Sequence, residues 1–175
     1  MNPPVETDPS IADFVLITEI AESRPLAEPI FQRKYKCSAP PSDYGFNVFA
    51  LIRTAEGAWR PASYITWGAF EGARLIAGAC TDGELLRALP AEQRQRLDKA
   101  GGLMLQTVRY GEAKLEAAGS LASFGYCGDA RSWSILEQCG YRRLDHEYLI
   151  VRWNRQLPED QRTELIGKVE TLGAF

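Results

Sequence analysis

Histidine is almost absent from this 175-residue chain, and His146 stands alone. There is no Cys-x-x-Cys pair, and the four cysteines, Cys37, Cys80, Cys127 and Cys139, are widely spaced. That pattern speaks against a structural zinc site, and no metal is expected. No apolar run is long enough to span a membrane. The first residues, MNPPVETDPS, are proline-rich and acidic and lack the apolar stretch of a signal peptide, so residues 1–12 read as a flexible tail. A positive surplus is missing too. The formal net charge is −3, which removes any general attraction to nucleic acid or an anionic membrane. Repeats and low-complexity tracts are also lacking. What is present is enough chain for one domain with a substantial core, 45% hydrophobic. With no export signal, reduced buried thiols and a cytoplasmic location are expected.

The pattern of elements is mixed. Asp13–Ile20 reads as a strand and Pro25–Lys36 as a helix, with Leu26, Ile30 and Phe31 on its apolar side. Ser38–Asp43 is a loop. Phe46–Thr54, Ala62–Phe70 and Ala73–Cys80 follow as strands, joined by glycine-containing turns that suit an antiparallel meander. Phe46, Phe49, Tyr64, Trp67 and Phe70 fit its two faces as core residues. Thr81-Asp82-Gly83-Glu84 has the form of a capping box ahead of a short helix, Glu84–Ala88. Pro90 opens another, Ala91–Lys99. Leu103–Ala118 is the longest helix, with Met104, Val108, Gly111, Leu115 and Ala118 on one face. Gly111 weakens the helix but allows a close approach to a sheet. After Trp153, residues 154–175 form an amphipathic helix striped by Leu165, Ile166, Val169 and Leu172. That stripe calls for a cover, either the domain itself or a second copy.

The stretch Gly119–Trp153 organises the rest. It reads as a strand, Ser120–Tyr126, then a turn at Cys127-Gly128-Asp129, a short helix Arg131–Cys139 ended by Gly140, and a strand Leu144–Trp153. A strand that ends in a Gly-Asp turn and feeds a helix offers unpaired N–H groups for a ligand.

The order of elements, with Asp129, Ser132 and Gly140-Tyr141 at the spacing Asn-x-x-small…Gly-Phe, resembles the GNAT superfamily of acyl-CoA N-acyltransferases over Phe46–Trp153. The resemblance implies an α+β fold. A mixed, mostly antiparallel central sheet, flanked by helices, is splayed between its fourth and fifth strands, and here a C-terminal helix is added. It implies acetyl-CoA or another acyl-CoA as co-substrate. The pantetheine arm would lie against main-chain groups of Ala77-Gly78-Ala79. The diphosphate would lie at the loop Asp98–Leu103, with Lys99, Gly101 and Gly102 exposed to it. Asp129 and Ser132 would line the coenzyme pocket. The implied reaction is acyl transfer, most simply of acetyl, to an amine on a small molecule or a protein.

Three departures accompany the resemblance. About twenty residues, including two helical pieces, intervene after the fourth strand, and the phosphate loop keeps its glycines but loses the usual Gln or Arg to Asp98. Leu136 stands where the family often has the tyrosine that protonates the departing thiolate. The final hairpin is shortened, or completed by the C-terminal segment. These departures equally suit a GNAT-like fold kept as a binding or structural protein, like small GNAT-like proteins of phages.

Acyl transfer needs a neutral amine and a proton for the thiolate. Tyr126, at the end of its strand, is the expected substitute donor. Asp82 is a candidate base, against the plainer role of helix capping. Cys127 is a candidate nucleophile, although no histidine is near it in sequence. Asp129 is also a good N-cap. Arg131 could meet a phosphate or a substrate carboxylate, against the commoner fate of a solvated helix face. His146 reads as an exposed strand residue.

Overall fold

The structure, a computed structural model, describes residues 7–175; the first half of the expected tail lies outside the described residues. Ordered chain begins earlier than the sequence suggests. Ile11 is fully buried, and the Arg96 guanidinium holds the Ser10 carbonyl and the Asp13 carboxylate.

Seven strands form one mixed sheet in the order β1-β2-β3-β4-β5-β7-β6. β1 (Val15–Glu19), β2 (Gly45–Arg53), β3 (Trp59–Phe70) and β4 (Ala73–Thr81) are antiparallel neighbours, as the glycine turns require. The Glu71-Gly72 turn is tight, and both residues have positive φ. β5 (Ala122–Tyr126) joins β4 in parallel, the only parallel contact in the sheet. β7 (Leu149–Trp153) and the two-residue β6 (Arg142–Arg143) complete it as a short hairpin.

That hairpin corrects the single strand expected over Leu144–Trp153. Residues 144–148 turn instead, and Tyr148 has φ 66°. In Asp-His-Glu-Tyr only Asp145 is a common turn former, and no glycine, asparagine or proline accompanies it. The reversal is held by main-chain bonds: Leu144 N donates to Leu149 O, and Cys127 N donates to Tyr148 O.

Six helices flank the sheet. α4 (Leu103–Ala117) and α5 (Ala130–Gln138) lie on one face, with α2 (Gly83–Ala88) and α3 (Ala91–Lys99) beside them. α1 (Arg24–Tyr35) packs on the other face against Phe49, Tyr64 and Cys80. α6 (Glu159–Glu170) covers Leu75, Phe124 and Val151 on that same side through Leu165 and Val169. Of the C-terminal stripe the domain covers Leu165 and Val169, and Ile166 in part, while Leu172 stays exposed; the C-terminal segment adds no strand. Phe49, Tyr64 and Trp67 are core residues with no exposed surface.

The fold depends on a buried acid that the apolar pattern of α4 hides. Glu112, 2% exposed, receives four donors. Trp67 Nε1 donates from β3 at 3.0 Å, Ser123 Oγ from β5 at 2.8 Å, Arg152 Nη1 from β7 at 3.2 Å, and the Tyr141 hydroxyl from the residue before β6. Burial pushes the Glu112 carboxyl above the usual range, and the donors pull it back. Arg152 is held in turn by Glu116 at 2.7 Å and by the Cys139 carbonyl. Beside this cluster α4 comes close to the sheet. A Cβ on Gly111 would stand 2.2 Å from the Trp67 ring, which is why glycine is needed mid-helix there.

Two stability outcomes follow. Gly111→Ala gains about 1 kcal/mol of helix propensity but must push a fully buried ring off its partner, an overpacking cost of about 1–3 kcal/mol. The net effect is a lower melting temperature in a thermal denaturation scan. Glu112→Ala leaves Arg152 without one of its two carboxylates and orphans three further donors. A loss of about 3–5 kcal/mol is expected in chemical denaturation, a large share of a typical domain's stability.

Candidate active site

Between β4 and β5 only two residue pairs meet, Arg74 with Ser123 and Leu75 with Phe124. Beyond them the strands part. A bulge in β4 marks the parting: its register with β3 runs from Gly78 opposite Thr66 to Ile76 opposite Trp67, leaving Ala77 unpaired. Gly78 has no side chain because Phe31 and Pro40 lie over it; a Cβ would meet them at 3.0 and 3.2 Å. Past the paired residues of β4 lies a cavity of about 500 Å³ lined from α1, β3, β4, α4 and α5. Ile76 and Ala79 of β4, Met104 and Val108 of α4, and Ile135 and Leu136 of α5 form its apolar wall. Leu136 indeed faces the cavity where a tyrosine was a family expectation.

The polar lining comes from three places. From α1, Lys34 and Tyr35 reach the mouth, and the Tyr35 hydroxyl donates to the Ala79 carbonyl at 2.8 Å. From the end of β4 comes Thr81, with its hydroxyl 3.4 Å from that of Ser63. From α5 come Asp129, Arg131 and Ser132. Asp129 caps α5: its Oδ2 accepts from Ser132 N and Ser132 Oγ, both at 2.8 Å. Those bonds hold its carboxyl below the usual carboxylate range.

The phosphate loop is arranged differently from expectation. Gly101 N donates to Asp98 O and Gly102 N to Leu97 O, so both amides close the end of α3. Their positive φ values, 86° and 90°, are what glycine supplies there. The amides that begin α4 without a helical acceptor are those of Leu103, Met104 and Leu105.

The remaining candidates have settled partners. Asp82 is the N-cap of α2: Oδ1 accepts from Glu84 N and Leu85 N at 3.1 Å, and Oδ2 from Arg33 at 2.6 Å. The cap is thus Asp82, one residue later than a Thr81 capping box would place it. The Cys127 thiol is buried, donates to Asp129 O, and is pushed up by burial, which keeps it protonated. Tyr126 packs against Phe175 and Tyr148, with its hydroxyl 3.4 Å from His146 Nδ1, and does not line the cavity. Lys34, Tyr35 and Glu112 escaped the sequence reading. For Glu112 a signal existed: it lies four residues after Val108 and three before Leu115 on an apolar face. For Lys34 and Tyr35 none did, since only the tertiary fold brings the end of α1 to the end of β4.

No family model matches the chain, and no curated protein does. Solved structures do. The ribosomal-protein-S18-alanine N-acetyltransferase of Escherichia coli is 14% identical over 83% of this chain and 97% of its own, with a TM-score of 0.56. An aminoglycoside 6′-N-acetyltransferase complexed with coenzyme A is 8% identical, covering 82% and 99%, at 0.54. A toxin bound to acetyl-CoA and to the C-terminus of its antitoxin is 12% identical, covering 88% and 98%, at 0.51. These likenesses show that the chain has the fold of these N-acetyltransferases, as the resemblance to the GNAT superfamily implies.

Proposed function

We propose that the protein is an N-acyltransferase that moves an acetyl group from acetyl-CoA to an amine. The observation that carries this reading is the parting of β4 and β5 after two residue pairs, with a mostly apolar cavity of about 500 Å³ beside the freed part of β4. An extended arm bearing amides, such as pantetheine, can pair with an open strand edge as another strand would. The edge on offer is Ala77-Gly78-Ala79. The α4 amides of Leu103 to Leu105 suit a diphosphate, with Lys99 adding charge and Gly101-Gly102 giving a slim approach. Asp129 and Ser132 form the far wall. The coenzyme A and acetyl-CoA complexes among the structural neighbours support this assignment.

In the transfer, the lone pair of a neutral amine adds to the thioester carbonyl. The C–S bond then breaks, the amine loses a proton, and the thiolate takes one. Leu136 cannot give that proton. Tyr35 can, because its hydroxyl stands in the cavity at the end of β4. Tyr126, bonded toward His146 outside the cavity, is the less suited of the two. Asp82 would have to leave Arg33 and its helix to act as a base, so the proton of the amine leaves through water.

A second reading, a GNAT-like fold kept for binding alone, is favoured by Leu136. The two part on thiol release. Millimolar acetyl-CoA should raise the melting temperature by several degrees, since a ligand at 100 times its Kd stabilises by about 2.7 kcal/mol. No shift would sink the transfer reading. With acetyl-CoA and a panel of primary amines, Tyr35→Phe should lower the rate of thiol release about 10²-fold while keeping the melting shift. Tyr126→Phe should stay near the parent rate.

A further inference from the structure

We infer that the acceptor amine carries an anionic group of its own, a carboxylate or phosphate, received by Lys34 and Arg131 at the mouth of the cavity. This rests on the acyl-transfer reading and names the class of its acceptor.

Three charged side chains line the cavity: Lys34, Asp129 and Arg131. The one acid is spent on the Ser132 amide and hydroxyl. The two cations are free of ion pairs among the described residues. Lys34 has only the Tyr35 ring beneath it, 4.9 Å from its Nζ. The neighbouring cations of α1 are already engaged, Arg33 with Asp82 and Lys36 with the Arg33 carbonyl. The charge lining the mouth is thus net positive, two cations to one carboxylate, and the cations come from two separate elements.

The two cations differ in what the fold asks of them. Lys34 lies in the last turn of α1, where a helix favours a cation. Arg131 lies in the first turn of α5, where the helix dipole disfavours one by about 0.3–1 kcal/mol. Helix stability therefore gives no reason for Arg131, whereas an anion between it and Lys34 does. A polyamine or aminoglycoside acceptor needs open carboxylates and would meet two cations instead. An amine with an adjacent carboxylate or phosphate meets complementary charge. The same field disfavours the ammonium form of the acceptor, which supplies neutral nucleophile in a cavity that has no free base.

The anion could also belong to the phosphates of coenzyme A, and the experiment separates the two. Thiol release from acetyl-CoA is followed with an aspartyl dipeptide, O-phosphoethanolamine and spermidine as acceptors. Acetyl-CoA binding is read separately from the melting shift. Lys34→Ala and Arg131→Ala are exposed substitutions that the fold should tolerate. The expected result is roughly tenfold higher kcat/KM for the two anionic amines than for spermidine. Each variant should raise the KM of the anionic amines about fivefold or more, lower that of spermidine, and leave the melting shift intact. The KM effect should shrink in high salt. Spermidine as the best acceptor overturns the inference. So does a variant that loses the melting shift instead, which would give the cations to coenzyme A. A parent protein that binds acetyl-CoA but releases no thiol with any probe overturns it too. Absence of a melting shift in the parent removes the transfer reading itself and the inference with it.

Discussion

Glu112 brings a carboxylate into an apolar interior, and its four donors reach it from β3, β5, β7 and the residue that opens the final hairpin. A buried charge is tolerable only when it is paired and hydrogen-bonded, so these elements must stay in one arrangement for the charge to stay satisfied. β4 is the notable omission. It lies between β3 and β5 in the sheet, yet it gives nothing to the cluster. The strands on either side of it are tied together through α4, not through β4. That is how β4 and β5 can share two residue pairs and then part without the sheet coming apart. The opening that would hold a coenzyme is a gap spanned by a carboxylate beneath it.

Small residues set the shape of what is left. Gly111 lets α4 press on Trp67, which brings Glu112 within reach of its donors. Gly78 lets Phe31 and Pro40 close over β4, and with them α1. α1 then presents Tyr35 to the Ala79 carbonyl, so the far end of the cavity is built by a helix that is remote in sequence. Each approach uses the absence of a side chain on one element to position a side chain on another.

The legibility of the chain follows from this. Order and type of elements were readable because they rest on local periodicity and glycine turns; the meander and α4 fall within a few residues of expectation. Gly111 was read correctly for a physical reason, a helix interior that tolerates its weakest residue only for contact. Asp129 and Asp82 were readable as caps, because capping is local. What failed was non-local. The place of Glu112 on the apolar face of α4 hints at burial, but its partners Ser123, Tyr141 and Arg152 arrive from elsewhere in the chain. The turn at 144–148 carries no glycine or asparagine; Leu144 and Leu149 pair across it, and Tyr148 is tied to Cys127 beyond β5. Gly101 and Gly102 were expected to offer their amides outward; a helix end that needed closing took them first.

The tyrosines show the same exchange of parts. At the Gly-aromatic step after α5, this chain has Tyr141 where the resemblance leads one to expect phenylalanine. Its hydroxyl serves Glu112, and burial beside that carboxylate pushes the phenol well above its usual range. It therefore stays protonated and donates to that carboxylate. Five residues earlier, Leu136 gives the cavity an apolar wall. The phenol that does line the cavity is Tyr35 of α1. In the proposed transfer the end of α1 supplies the proton donor, Tyr35, and one of the two acceptor-selecting cations, Lys34, while α5 keeps the other, Arg131.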